Sequence, residues 1–250
     1  MRAIILAAGR GLRLQQAEAD HVPKVLLKFG GKTLLERHLL LLKACGVDEI
    51  VLALGFRHRL VEEELDRLGW LPRADVIVNP RFTEGSLLTV AIASEHMTRG
   101  GEVLLMDGDV LYDARMPRAL LKGGLNMNRL LIDRDFEGGD EPVKVCLRGG
   151  VPVEFRKRIP PDLEFDLIGE SVGFFRLTES AARKLAEIVR NYVDDDQGNL
   201  PHEEALRDLL LAGEQHFDIC DVTGVPWIEI DFPGDVIRAQ THILTQLEPL

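Results

Sequence analysis

The chain has 250 residues, 46% hydrophobic and 28% charged, proportions that exclude a disordered or collagen-like polypeptide and suit one large domain or two small ones. Its 30 Lys and Arg against 41 Asp and Glu leave a formal charge of −11, which argues against nucleic acid or an anionic membrane surface as partner but leaves room for a local basic site. The scattered cysteines, Cys45, Cys146 and Cys220, lack CxxC spacing and read as buried thiols of a cytoplasmic protein rather than a disulfide framework or zinc knuckle.

The first apolar run, residues 3–8, is shorter than the roughly 7–15 residues of a signal-peptide core, and a Gly-Arg-Gly turn stops it. It reads as a buried parallel strand. No run approaches the ~20 apolar residues of a membrane span. A glycine- and charge-rich segment follows to about residue 23. Leucines between Thr33 and Cys45 recur at helical spacing, with Gly46 as the stop; the Leu39–Leu42 run reads as core. Next come a strand at 49–54, a charged helix at 59–68, a strand at 74–78, a helix at 86–97 and a strand at 102–106. This alternation predicts a three-layer α/β domain, Rossmann-like, with a mixed but mostly parallel sheet.

The pattern changes after about residue 125. Segments 127–133, 143–147 and 151–158 read as strands, with Arg148-Gly149-Gly150 as a hairpin turn. A strand at 167–177 precedes a helix from Thr178, its N-cap, to Tyr192, and a second helix at 201–212. Strands at 217–222 and 227–230 and a closing helix at 233–247 complete the chain. With no repeat or low-complexity linker, the expectation is a single domain, 1–250, carrying a smaller mixed-strand lobe in its second half.

In such sheets ligands bind beyond the carboxyl ends of the strands, and three of these ends carry chemistry. The first is Leu6-Ala7-Ala8-Gly9-Arg10-Gly11-Leu12-Arg13-Leu14. Its glycines admit close backbone approach, and Arg10 and Arg13 can pair with phosphate oxygens. It is not the dinucleotide fingerprint, because Leu14 stands where a third glycine belongs. Gly31-Lys32-Thr33 is not a P-loop, because Leu26 replaces the required glycine; Gly30-Gly31 reads as a strand-to-helix turn. Lys24, behind the rigid Pro23, closes the same polar loop. The second end is Asp107-Gly108-Asp109, either a seat for a hard cation such as Mg²⁺ or an Asx turn. The third is Trp227-Ile228-Glu229-Ile230-Asp231, where Asp231 is a further carboxylate or simply the first polar residue of a helix.

Together, Leu6–Leu14, Pro23-Lys24, Gly31-Lys32-x-Leu34-Leu35-Glu36 and Asp107-Gly108-Asp109 resemble the nucleotidyltransferases that activate phosphorylated sugars and alcohols. Val143-Lys144-Val145, Gly169–Phe174, His202-Glu203-Glu204-Ala205-Leu206 and Trp227-x-Glu229-Ile230-Asp231 are similar to the phosphocholine cytidylyltransferase-like branch, which also includes enzymes for aminoethylphosphonate and inositol phosphate. The chain departs from the family at Leu12, where Thr or Ser is usual, so a hydroxyl near the phosphates is lost. The resemblance implies a nucleotide-binding half, 1–125, and an acceptor-binding half, 126–250. Leu6, Ala8, Gly9, Arg10 and Gly11 would hold base and ribose, with Asp107 as a ribose contact. Arg13 and Lys24 would be the catalytic cations, and Asp109 and Asp231 the Mg²⁺ ligands.

The implied reaction is transfer from a nucleoside triphosphate, CTP by subgroup resemblance, to a small phosphorylated or phosphonylated acceptor. An anionic nucleophile needs no general base, and the histidines show no triad spacing. Ser86 stands near the base in this family, although as the residue before a helix it reads slightly better as an N-cap. Lys144 and Lys157 can meet the acceptor phosphate or be ordinary strand lysines. Glu170, Glu203 and Trp227, with Phe174 and Phe175, can form an acidic, aromatic pocket for an amine, the ordinary alternative being core aromatics and surface acids. Asp194-Asp195-Asp196 reads as a solvated loop. The rival readings are a sugar-1-phosphate guanylyl- or uridylyltransferase and a non-catalytic nucleotide-binding regulator, and the chain is expected as a monomer or homodimer.

Overall fold

Both faces of the first strand are apolar because both are covered. In the computed structural model, which describes residues 1–14, 22–71 and 73–250, β1 (Arg2–Ala7) sends Ala3 and Ile5 into one core and Ile4 into another. Single 3₁₀ turns follow at Leu12–Leu14 and Lys24–Leu26. The glycine pair then forms a hairpin rather than a strand-to-helix turn. Gly30 and Gly31, at φ 60° and 81°, join β2 (Lys28–Phe29) to β3 (Lys32–Thr33). Helix α1 (Leu34–Ala44) starts immediately after, with the Thr33 hydroxyl accepting the Glu36 N–H. Leu39, Leu41 and Leu42 are buried and Leu40 is exposed.

The elements β4 (Glu49–Leu54), α2 (His58–Arg67), β5 (Ala74–Val78), α3 (Leu87–Thr98) and β6 (Val103–Asp107) follow in the expected order. Two further elements come next, β7 (Val110–Tyr112) and α4 (Arg115–Leu121). Both are too short to show a period, and α4 contains a proline. The second half runs β8 (Asn128–Asp133), β9 (Lys144–Arg148), β10 (Val151–Arg156), β11 (Leu167–Leu177), α5 (Glu179–Asp194), α6 (His202–Leu211), β12 (Phe217–Asp221) and β13 (Trp227–Glu229). Thr178 caps α5 through the Ala181 N–H.

The closing segment departs from a single helix. Helix α7 (Pro233–Arg238) gives way to a π turn at Ala239–Ile243 and a 3₁₀ turn at Leu244–Gln246. The change of winding keeps Ala239 and Ile243 against Phe29, Leu34, Ile228 and Ile230.

A nine-stranded sheet of order β10-β9-β11-β6-β1-β4-β5 runs through both halves, with β8 on the other edge of β11 and β12 beside β8. Strands β6, β1, β4 and β5 are parallel; β11 turns the sheet antiparallel. One apolar layer packs α1, α2 and α4 against the sheet, and the opposite layer packs α3, α5 and α6. Strand β11 serves two partners along one edge, β9 through residues 167–170 and β6 through 174–177. Its register against β8 slips between Ser171 and Phe175, around Gly173 at φ 78°. Strands β7 and β13 form a separate antiparallel pair over the carboxyl end of β6. Among the described residues no helix is long and apolar enough to cross a membrane.

Candidate active site

The turn after β6 is pressed onto the end of β1. The Gly108 N–H donates to the Leu6 carbonyl at 2.9 Å, and a Cβ at 108 would stand 2.9 Å from that same oxygen, so the turn requires glycine. The flanking aspartates diverge from it. Asp109 is brought beside the last strand by the β7–β13 pairing, continued by the Ile230 N–H donating to the Asp109 carbonyl at 3.0 Å. Glu229 closes β13, and Asp231 follows two residues later. Carboxylate oxygens of Asp109, Glu229 and Asp231 all lie within 4.8 Å of one another.

Lys24 closes the cluster. Its Nζ lies 2.7 Å from Asp109 Oδ2 and 2.5 Å from Asp231 Oδ1. Burial works against the ammonium, but the charges of Asp109 and Asp231 and its hydrogen bonds to both outweigh that effect and hold its pKa above the ordinary lysine value. Glu229, exposed at the rim of the cleft, has its carboxyl raised above the usual range, first by lost solvation and then by the charge of Asp109. An all-carboxylate set with excess negative charge fits a hard divalent cation such as Mg²⁺.

Beside these acids lies a cavity of about 140 Å³ lined by Leu6, Gly9, Gly11, Arg13, Lys24 and Asp109, among others. Gly11 is at φ 61°, and the Lys24 side chain passes 3.0 Å from where its Cβ would be, so a larger residue there would displace the lysine. Arg13 donates to Glu141 at 2.8 Å and Asp231 at 3.3 Å and stacks over Phe232. Ala8 is buried and its carbonyl accepts the Phe56 N–H. Arg10 is half-buried outside this cavity. The structure therefore brings Arg13, Lys24, Asp109 and Asp231 together and leaves Arg10 apart.

Ser86 makes no N-cap bond, contrary to expectation. Its backbone is already helical, at φ −71° and ψ −24°, so the hydroxyl does not turn back over the first turn. Instead it accepts the His202 N–H at 2.9 Å and bonds the His202 ring at 3.1 Å. The opposite ring nitrogen of His202 lies 3.6 Å from Asp107. Burial, then the charges of Asp109 and Glu203, raises the Asp107 carboxyl well above the usual range.

The residues read as acceptor contacts separate into three groups. Glu170 and Trp227 line an open cleft of about 440 Å³ with Asp133, Glu137, Glu229 and Phe136. The Trp227 indole donates to Asp133 at 2.8 Å. Burial and the charge of Asp133 push Glu170 up to about 7. Glu203 instead shares a smaller cavity with Asp107, Lys157 and His202, so it does not join Glu170 and Trp227 in one pocket. Phe174 and Phe175 are buried core aromatics. Lys157 faces Glu141 at 3.5 Å. Lys144 is committed to the backbone, donating to the carbonyls of Gly139 and Lys157 at 2.6 Å each and of Pro142 at 3.3 Å. These bonds staple a loop to the end of β10. Asp194, Asp195 and Asp196 line neither cleft around the acids. Glu229 was not singled out as a ligand from sequence, although its place two residues before Asp231 on a strand is the signal that identifies it.

A glycine loop, two cations and three converging carboxylates meet beyond the carboxyl ends of β1 and β6. The MobA-like NTP transferase domain family matches residues 3–164, and the chain belongs to it. It is 29% identical over 244 residues to the bifunctional IPC transferase and DIPP synthase of Rubrobacter xylanophilus, covering 97% of this chain and 52% of that protein. It is 26% identical over 247 residues to CMP-5'-(3-aminopropyl)phosphonate synthase of Streptomyces rubellomurinus, covering 96% of this chain and 38% of that protein. It thus spans about half, or less, of the length of these relatives. Among solved structures, the inositol-1-phosphate CTP transferase from T. maritima superposes with a TM-score of 0.75 at 21% identity, over 99% of this chain and 98% of that one. The fold is that of the nucleotidyltransferases.

Proposed function

We propose that this protein is a cytoplasmic, Mg²⁺-dependent cytidylyltransferase that transfers CMP from CTP to a small acceptor bearing a phosphate or phosphonate. The observation that carries this reading is Lys24 held between Asp109 and Asp231 at the mouth of the glycine-loop cavity. An acceptor oxygen attacks the α-phosphorus, a new P–O bond forms, the bond to the β-phosphate breaks, and pyrophosphate leaves. Both reactants are anions, so catalysis here is orientation and charge neutralisation rather than proton abstraction. Residues 1–125 hold the nucleotide, with Leu6, Ala8, Gly9 and Gly11 at base and ribose, and Arg13 and Lys24 on the triphosphate. Asp109, Glu229 and Asp231 would hold Mg²⁺, which when bound would screen the two phosphates from each other. Residues 126–250 supply the acceptor cleft.

That cleft supports an acceptor bearing an amine. Glu170, Asp133, Glu137, Trp227 and Phe136 line it, with Arg238 as a cation at the same cleft; carboxylates and aromatic faces attract an ammonium. Pyrophosphate release, measured across the four nucleoside triphosphates against phosphocholine, 2-aminoethylphosphonate, inositol phosphate and hexose 1-phosphates, tests the whole reading. The expected result is release with CTP and an aminated acceptor. Release with GTP or UTP and a hexose phosphate would instead identify a sugar-phosphate transferase. Tight triphosphate binding without release from any pair would identify a regulator.

A further inference from the structure

Directly beneath the acidic turn, the core contains a polar pair that the reaction scheme does not use. His38, on α1, is fully buried, and Tyr112, on β7, is 3% exposed. The two are joined at 3.0 Å, Nδ1 to hydroxyl, and His38 Nε2 lies 3.2 Å from the Gly108 carbonyl. A carbonyl only accepts, so Nε2 carries the proton, and Nδ1 accepts from the tyrosine hydroxyl. Phe174 packs edge-on against both rings, which holds the imidazole in one orientation.

The Gly108 carbonyl belongs to the peptide unit whose N–H is that of Asp109. Its orientation sets the backbone direction from which the Asp109 carboxylate departs. The turn is held at three points, by Gly108 N–H on the Leu6 carbonyl, by His38 on the Gly108 carbonyl, and by Ile230 N–H on the Asp109 carbonyl. The first and last are backbone contacts of strands that pack there in any case. The His38 contact is the one that a side chain supplies, from the leucine-rich helix α1.

We propose that His38 is a positioning residue: by fixing the Gly108–Asp109 peptide plane it aims the Asp109 carboxylate at the divalent cation. This rests on the reading of Asp109, Glu229 and Asp231 as a cation site. Groups that orient a ligand in this way contribute ~10–100-fold to metal affinity.

The test is calorimetric titration of the protein with Mn²⁺ in the presence of CTP. His38→Leu, which keeps apolar bulk and removes the donor, is expected to weaken Mn²⁺ binding about tenfold. His38→Gln, whose amide N–H reaches the carbonyl, is expected to restore most of it. Should His38→Leu fail to fold, His38→Asn takes its place, because the shorter amide does not span the distance. Mn²⁺ affinity within about twofold of wild type in the leucine or asparagine variant, or no rescue by glutamine, would overturn the proposal. Asp109→Asn separates the two levels of the reading. If it abolishes Mn²⁺ binding while the His38 variants keep it, only the positioning role is lost. If it binds Mn²⁺ as well as wild type, the cation site itself is wrong and the positioning role falls with it.

Discussion

Lys24 is the hinge of the site's electrostatics, since one ammonium bridges two carboxylates and offsets one of their two charges. Lys24→Met should lower turnover by roughly 10²–10³-fold, as for loss of a preorganised transition-state donor. With Mg²⁺ present to occupy the acids, its melting temperature should stay near that of wild type. An equal loss of stability and activity in thermal-shift and turnover measurements would make the lysine structural. Asp109 and Asp231 are visible in the sequence because each follows an apolar strand, and Lys24 because it stands behind Pro23 at the close of the polar loop. His38 is invisible at that level, as it follows Glu36 and Arg37 in a leucine-rich helix and reads as part of the same polar stretch. Lys144 shows the converse: a lysine on a strand beside a proposed pocket looks free until the loop carbonyls that consume it are placed. Glu170 and Glu203 look alike as acids, yet the chain path sends them to different cavities.

At the scale of elements, β11 is the piece on which the architecture turns. Its eleven residues bridge β9 and β6, and the change of partner occurs around Gly173, at φ 78°. A Cβ there would lie within van der Waals radii of the Asp107 carboxylate. Gly173→Ala should therefore cost about 1–3 kcal/mol from backbone strain, read as a shifted denaturant midpoint, and should also displace Asp107; an unchanged midpoint would contradict the strain. The long strands and helices were legible because their apolar periodicity is uninterrupted over five or more residues. Strands β2, β3 and β7 were not, since two or three residues carry no period and their pairing is decided by distant partners. The closing segment had the right apolar spacing for one helix, but the fit of Ala239 and Ile243 over β13 imposes two changes of winding.

For the molecule as a whole, the −11 charge is unevenly spread: Arg13 and Lys24 meet Asp109 and Asp231 at the glycine-loop cavity, while the larger cleft is lined mainly by acids. Its response to acid should carry the mark of one core residue. Burial lowers the His38 imidazole to about 4, a fall that its bond to Gly108 only partly offsets. Between about 6.5 and 4 the unfolded chain takes up a proton that the folded chain refuses, so stability must fall as pH drops through that window. The contribution is about 3 kcal/mol, and His38→Leu should flatten the acid limb of a plot of unfolding free energy against pH; an unaltered slope would mean that other groups set it. The pairing of β7 with β13 has a consequence of another kind. Lys24 and Asp231 are 207 residues apart in the chain, and Asp231 is brought to Asp109 by the last strand of the fold. During synthesis the glycine loop and the first acidic turn leave the ribosome long before that strand does. A nascent chain halted before residue 227 would carry the glycine loop and Asp109 without Glu229 and Asp231, so two of the three converging carboxylates arrive only after most of the chain has been made.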